Sequence, residues 1–229
     1  MIPNYYEFFS PVKIISGHKA LDNLPYELDQ MGAHKPILIT DQGVTKAGLV
    51  QKVVDTFADS EAVIGAIFDQ VPQDSSSKIV NEIAGIYRQA GCDSIVAVGG
   101  GSVIDTAKGL NIVITERTDD LLKFSGAEML KKQMQPFIVI PTTAGTGSEV
   151  TCVAVISDPD RHLKMSFTSN FLYPRAAILD PRMTLTLPPM ITAATGMDAL
   201  THAMEAYISL QKNPLSDAYA MKAIEIITK

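Results

Sequence analysis

The chain has 229 residues, 46% of them apolar, and a formal net charge of −6. That apolar share supports a packed core, and an acidic balance without any Lys/Arg cluster argues against a nucleic-acid surface. The opening MIPNYYEFFSPVKI lacks the basic-then-apolar order of a secretory signal, and no apolar run approaches the roughly 20 residues of a membrane helix. Cys92 and Cys152 stand far apart in no metal or redox spacing, so a cytoplasmic protein with reduced thiols and no membrane contact is expected.

Val12 to Ile15 reads as a first strand, ending at Ser16-Gly17. Ala20, Leu21, Leu24, Leu28 and Met31 then recur at helical spacing until Gly32, with Pro25 disturbing the first turns. Ile37 to Thr40 is a second short buried strand that ends on Asp41, and a helix follows with Leu49, Val50, Val53, Val54 and Phe57 on its inner face. Ala62 to Phe68 predicts a third strand. Asp74 to Ser77 opens a helix that Ile79, Val80, Ile83, Ile86 and Tyr87 carry to a C-cap at Gly91.

Ile95 to Val98 is the fourth strand, and it empties into Gly99, Gly100 and Gly101. Ser102-Val103-Ile104-Asp105 then opens a helix that continues to about Thr115. A strand, a glycine turn and a helix start in that order can hold a phosphate, because helix N-termini offer unpaired N–H groups and partial positive charge. The same stretch also fits a tight structural turn. It is neither the G-x-G-x-x-G dinucleotide fingerprint, since Ile104 stands where Gly is needed, nor a P-loop.

Phe137 to Ile140 is a further strand, followed at once by PTTAGTGSEVT. In that stretch Thr142, Thr143, Thr146 and Ser148 can donate to phosphate or ribose oxygens, or else cap neighbouring backbone groups. Val150 to Ile156 and Leu163 to Thr168 flank Asp158-Pro159-Asp160 as a hairpin, and Ala176 to Leu179 is the last strand. Short apolar strands alternating with amphipathic helices mean crossover connections and a parallel sheet covered on both faces. Ligands of such sheets bind beyond the carboxyl ends of the strands. Both glycine turns belong there, which makes a nucleotide the leading ligand.

Asp41 ends a strand at the same edge. Its carboxylate can accept from an adenosine ribose while repelling a 2′-phosphate, or it can simply cap the helix that follows. Lys164 can reach a ribose or phosphate oxygen from its strand, or be a solvated hairpin lysine. Pro188-Pro189 marks a boundary, beyond which the pattern is helical and broken only at Asn213-Pro214, with a last helix from Asp217 to Lys229. Asp198 and His202, four apart in ATGMDALTHAMEAYIS, share one helix face and can give two ligands to a divalent metal; the spacing also suits a surface hydrogen bond or a core histidine. Their apolar sequence neighbours predict burial, and a buried aspartate needs a partner.

GGGSVIDTAKG, PTTAGTGSEVT and ATGMDALTHAMEAYIS, in this order and spanning nearly the whole chain, resemble the iron-containing (group III) alcohol dehydrogenase family, with its dehydroquinate synthase-like fold. The resemblance implies an α/β, Rossmann-like parallel-sheet domain over residues 1–187. It implies that residues 188–229 begin an all-helical, metal-binding domain, with the active site in the cleft between the two. It further implies hydride transfer between NAD, or less readily NADP, and a small alcohol or carbonyl substrate. Carried over by position, Gly99, Gly100, Gly101, Ser102 and Asp105 belong to the pyrophosphate turn and its helix. Thr142, Thr143, Thr146, Thr151 and Lys164 line the rest of the cofactor. Asp41 is the acidic residue that favours NAD, and Asp198 and His202 are the first two of four metal ligands, Fe2+ favoured over Zn2+.

Two positions depart from the family pattern: Val103 replaces a usual Pro, and Gln73 an Asn near the adenine. Two further ligands in the family are histidines downstream, yet His18, His34, His162 and His202 are the histidines of this chain. A piece of a longer protein is therefore expected, whose own turnover is open. Alternatives are a polyol or polyol-phosphate dehydrogenase of the same fold, for which no cation cluster is evident, and a non-catalytic NAD-binding remnant. A homo-oligomer is left open.

Overall fold

A computed structural model describes residues 3–229. In chain order its strands and helices are β1 (Lys13–Ser16), α1 (Leu24–Gln30), β2 (Pro36–Ile39), α2 (Gln42–Lys46), α3 (Leu49–Asp55), β3 (Ala66–Phe68), α4 (Ser77–Ala90), β4 (Ser94–Gly99) and α5 (Gly101–Glu116). They continue with β5 (Gly126–Ala127), β6 (Phe137–Pro141), β7 (Val153–Asp158), β8 (Leu163–Thr168), β9 (Ala176–Leu179), α6 (Pro189–Ile208) and α7 (Pro214–Ile227).

Six strands form one parallel sheet in the order β1-β9-β6-β4-β2-β3. Both faces of this sheet are covered, and the strand period of two divides its side chains cleanly between them. Ile37, Ile39, Ile95, Ala97 and Val139 face α4 and α5. Leu38, Val96, Val98, Ile138, Ile140 and Ile178 face α1 and α3. Successive connections run outward from β2 to β3, then reverse through β4, β6 and β9. That reversal puts a topological switch point between the carboxyl ends of β2 and β4, where open α/β sheets leave a crevice.

The hairpin lies apart from this sheet. β7 and β8 pair antiparallel from Val153↔Thr168 to Asp158↔Leu163, and β5, which the sequence does not signal, adds a short parallel edge to β8. Asp158 accepts from the Asp160 and Arg161 amides and so builds the turn.

Several boundaries shift for local reasons. The first helix pattern splits into a 3-10 turn, Ala20–Asn23, and then α1, with Pro25 in its first turn, where its missing N–H costs nothing. The helix expected after Asp41 is broken at Gly48, whose φ of 73° is left-handed, giving α2 and α3. The third strand shrinks to Ala66–Phe68, while Ser76 caps α4 through the Ile79 amide and Gly91 ends it with φ 64°. The last helix starts earlier than expected, at Pro214, because Asn213 and Ser216 form a reciprocal capping box. Among the described residues, no helix is long and apolar enough to cross a membrane.

Candidate functional site: two glycine turns and a donor pair

The two glycine turns meet at the carboxyl edge of the sheet. β4 and β6 are paired to their ends, Gly99 opposite Pro141, and the Thr142 amide donates to the Gly99 carbonyl at 3.1 Å. Here the glycines make room for the neighbouring turn. A Cβ on Gly100 would stand 3.0 Å from Thr143 Oγ1, and one on Gly101 would stand 2.9 Å from Thr146 Cγ2. Gly99 is filled from its own helix, since a Cβ there would lie 2.6 Å from Val103 Cγ2. Val103 therefore packs at the helix start, as expected of a substitute for proline.

Between the turns lies a cavity of about 250 Å³, into which Gly101, Ser102, Asp105, Thr146 and Lys164 all reach. Gln73, Asp74, Ser75, Ser148, Val155 and Ser157 complete its wall. The open N-terminal end of α5 faces it, with Gly100 as a cap that offers no side-chain acceptor. Its first-turn amides therefore remain for an anion. Ser102 Oγ donates to the Gln73 carbonyl, which fastens the loop before α4 to this helix start. Thr106 Oγ1 donates to Ser75 Oγ at 2.8 Å, reinforcing the same attachment.

Asp105, at the cavity wall, and Thr151, outside it, both spend their side chains on the protein's own groups. Asp105 accepts from Ser148 Oγ at 2.8 Å and from the Val155 amide at 3.0 Å. Burial pushes the Asp105 carboxyl above the usual aspartate range, against the opposing pull of the Val155 amide, the Lys108 ammonium and Ser148. Thr151 Oγ1 lies 3.2 Å from Lys108 Nζ, away from the cavity lining. Lys108, which the residue-by-residue reading passed over, is 1% exposed. A lysine three positions after an aspartate, in an otherwise apolar helix interior (Ala107, Gly109, Leu110), was the available signal.

Asp41 takes the helix-capping role: its Oδ1 accepts from the Val44 amide at 2.9 Å. It nevertheless sits at the carboxyl end of β2, across the switch point from Gly99, so the capping role and a position beside a ligand coexist.

Asp198 and His202 project from one face of α6, with Nε2 3.5 Å from Oδ1. The burial expected from their apolar neighbours does not hold: their side chains are 44% and 57% exposed. α6 packs chiefly on α7 and buries Ala203 alone, so apolar sequence neighbours on the other faces cover nothing. The separation fits two donors on one small divalent cation. No group of three or more His, Cys, Asp or Glu side chains suited to a metal occurs among the described residues. Two donors fit, and the set is incomplete.

The donor pair abuts the second glycine turn. A Cβ on Gly145 would stand 3.0 Å from the Thr195 carbonyl oxygen and 3.2 Å from Asp198 Oδ2. All three stretches singled out in the sequence thus converge: the first turn bonds the second, and the second touches α6.

A doubly wound sheet with a glycine turn at its switch point and a hydroxyl-lined turn on the neighbouring strand is a nucleotide-binding class of architecture. Comparison with known proteins makes this specific. The profile of the iron-containing alcohol dehydrogenases matches residues 11–181, and that of the family's C-terminal domain matches residues 192–229. The chain belongs to the iron-containing alcohol dehydrogenase family. It is 40% identical over 209 residues to 4-hydroxybutyrate dehydrogenase of Cupriavidus necator, covering 90% of this chain and 54% of that protein. With 1,3-propanediol dehydrogenase of Klebsiella pneumoniae it shares 37% identity over all of this chain and 57% of the relative. Among solved structures, a 1,3-propanediol oxidoreductase superposes with TM-score 0.92 at 36% identity, over 98% of this chain and 58% of the other. Sulfoacetaldehyde reductase from Bifidobacterium kashiwanohense in complex with NAD+ gives 0.89 at 32%, over 99% and 60%. The chain thus spans little more than half the length of the relatives it matches.

Proposed function

We propose that residues 1–187 are the dinucleotide-binding unit of an NAD-dependent, metal-dependent alcohol dehydrogenase, and that residues 188–229 begin its helical metal-binding unit. The substrate is a small alcohol or the corresponding aldehyde or ketone. The observation that carries this reading is the contact at Gly145, which sets the hydroxyl-bearing turn against the carboxylate of Asp198. Names among the relatives add support, since 4-hydroxybutyrate and 1,3-propanediol dehydrogenases act on small hydroxyl compounds.

Gly100 at the cap, with Gly101 and Ser102 in the first turn of α5, offers amides to the pyrophosphate, and Lys164 supplies a cation from the lining of the same cavity. Thr142, Thr143 and Thr146 orient the rest of the dinucleotide along the second turn, while Asp41 disfavours a 2′-phosphate by charge. Asp198 and His202 hold a ferrous ion, with the remaining donors coming from outside these residues. When bound, the dinucleotide supplies the hydride acceptor and the cation polarises the substrate oxygen. The protein's share is to keep the two reacting centres in register across the Gly145 contact.

Titrating the protein with NADH, with and without ferrous ion, tests the reading. Saturable fluorescence enhancement, with ferrous ion binding lost in Asp198→Ala, is the expected result; no saturable NADH binding would sink it. A second reading, NAD binding without turnover, is favoured by the incomplete donor set. Binding with no alcohol-dependent NADH formation at any ferrous concentration is its signature.

A further inference from the structure

Deep inside α5, the Lys108 ammonium is surrounded by five oxygens, all from the segment that follows the second glycine turn. It donates to the carbonyls of Ser148 at 2.8 Å, Thr151 at 2.9 Å and Val153 at 2.7 Å. The hydroxyls of Ser148 and Thr151 lie at 3.1 and 3.2 Å. An ammonium has three N–H bonds, so every donor is used and two are shared. One turn away, Asp105 takes the Ser148 hydroxyl and the Val155 amide, so a single face of α5 grips residues 148–155 at both ends.

This grip has a direction. α5 begins at the first glycine turn, whereas the gripped segment leaves the second. Lys108 is 1% exposed and reaches no wall of the cavity, so it does not touch a ligand there. Burying a lysine is expensive, and an apolar residue of similar size would fill the space without that cost. What an apolar residue cannot do is hold three carbonyls of an irregular segment to one point.

We propose that Lys108 is the positioning residue of the dinucleotide site, fixing the second glycine turn, and with it Thr146 and Gly145, at a set distance from the first turn and from Asp198. The assignment rests on the reading of the cavity as a dinucleotide site. Burial lowers the Lys108 ammonium to about 8, although Asp105, then Cys152 and Glu149, favour its charged form. These three are the titratable groups that face it: Asp105 on its own helix, Glu149 and Cys152 on the gripped segment. Loss of the proton removes one donor from the cluster and slackens the turn.

The test is NADH affinity against pH in the wild-type chain, in Lys108→Met and in Cys152→Ser. Wild type and Cys152→Ser should lose affinity as pH rises through about 8. Lys108→Met, folded by circular dichroism, should bind about tenfold more weakly at neutral pH and show no such inflection. A folded Lys108→Met that binds NADH like wild type would reduce the lysine to a stability role and overturn the proposal. Should that variant not fold, the wild-type profile decides: an inflection that survives in Cys152→Ser supports the assignment, and a flat profile or one lost in Cys152→Ser overturns it. A wild-type chain that binds no NADH at neutral pH defeats the dinucleotide reading itself, which is a different result from a binding wild type with an indifferent variant.

Discussion

The sheet-bearing unit and the α6–α7 pair are built from similarly apolar sequence and have opposite fates. In α5 the residues from Ile104 onward are buried almost without interruption to Val113. In α6 and α7 one alanine each is buried, Ala203 and Ala220, while Ile208 at the end of α6 stands 77% exposed and Leu210, in the link between the two helices, 97%. Composition sets how much apolar surface a segment carries; the topology around it decides whether that surface leaves water. In the sheet unit, crossover connections cover the central strands β2, β4 and β6 on both sides. Within these residues the helical pair packs mainly on itself, and α7 opens with the capping box at Asn213.

The sharpest way to break this contrast is to truncate matched side chains in the two regions. Ile138→Ala, in the middle of the sheet, should cost about 2–5 kcal/mol in urea unfolding, whereas Ile208→Ala should stay within about 0.5 kcal/mol. Equal losses would mean that α6 is covered after all. Next in size is Gly99→Ala, whose Cβ would stand 2.8 Å from Val103 Cβ. That overpacking should cost about 1–3 kcal/mol, and Val103→Ala in the same chain should recover only the part due to the two Cγ atoms, since its Cβ stays.

Asp180 sits where the sheet unit hands over to the helices. Burial alone would raise its carboxyl, but the Arg182 side chain and the amides of Leu21 and Arg182 outweigh this and bring it down to about 2. A carboxyl depressed in the folded state contributes stability that is fully present above its unfolded value, near 3.8, and lost as pH falls toward about 2. Asp180→Asn should remove about 2 kcal/mol at neutral pH and flatten the acid limb of the stability curve in that window, read by unfolding at stepped pH. The smallest effect belongs to the exposed donor pair. His202→Ala should move stability by less than about 0.5 kcal/mol while lowering ferrous affinity, so a large stability loss would mark the pair as structural instead.

The parallel sheet was legible because its strands are short apolar runs bounded by turn residues, and both glycine turns fell where their strands end. The donor pair was legible as a spacing, but its exposure was not, because a helix's sequence neighbours do not say which of its faces is covered. β5 was invisible for a simpler reason: two residues, Gly126 and Ala127, carry no period. Lys108 escaped notice because a long cation reads as a surface residue until the topology folds carbonyls around it. Asp41 could be read two ways from sequence, and its contact with the Val44 amide realises the capping one.

At Gly145 the absence of a side chain sets a length. Thr195 and Asp198 lie so close to its Cα that even a methyl group would act as a shim between sheet and helix. Alanine there would thicken the joint and press on the Thr195 carbonyl and on Asp198 Oδ2, while leaving the phosphate-facing amides of α5 untouched. Such a variant should keep its affinity for NADH and lose whatever depends on the spacing between the turn and Asp198, ferrous affinity included.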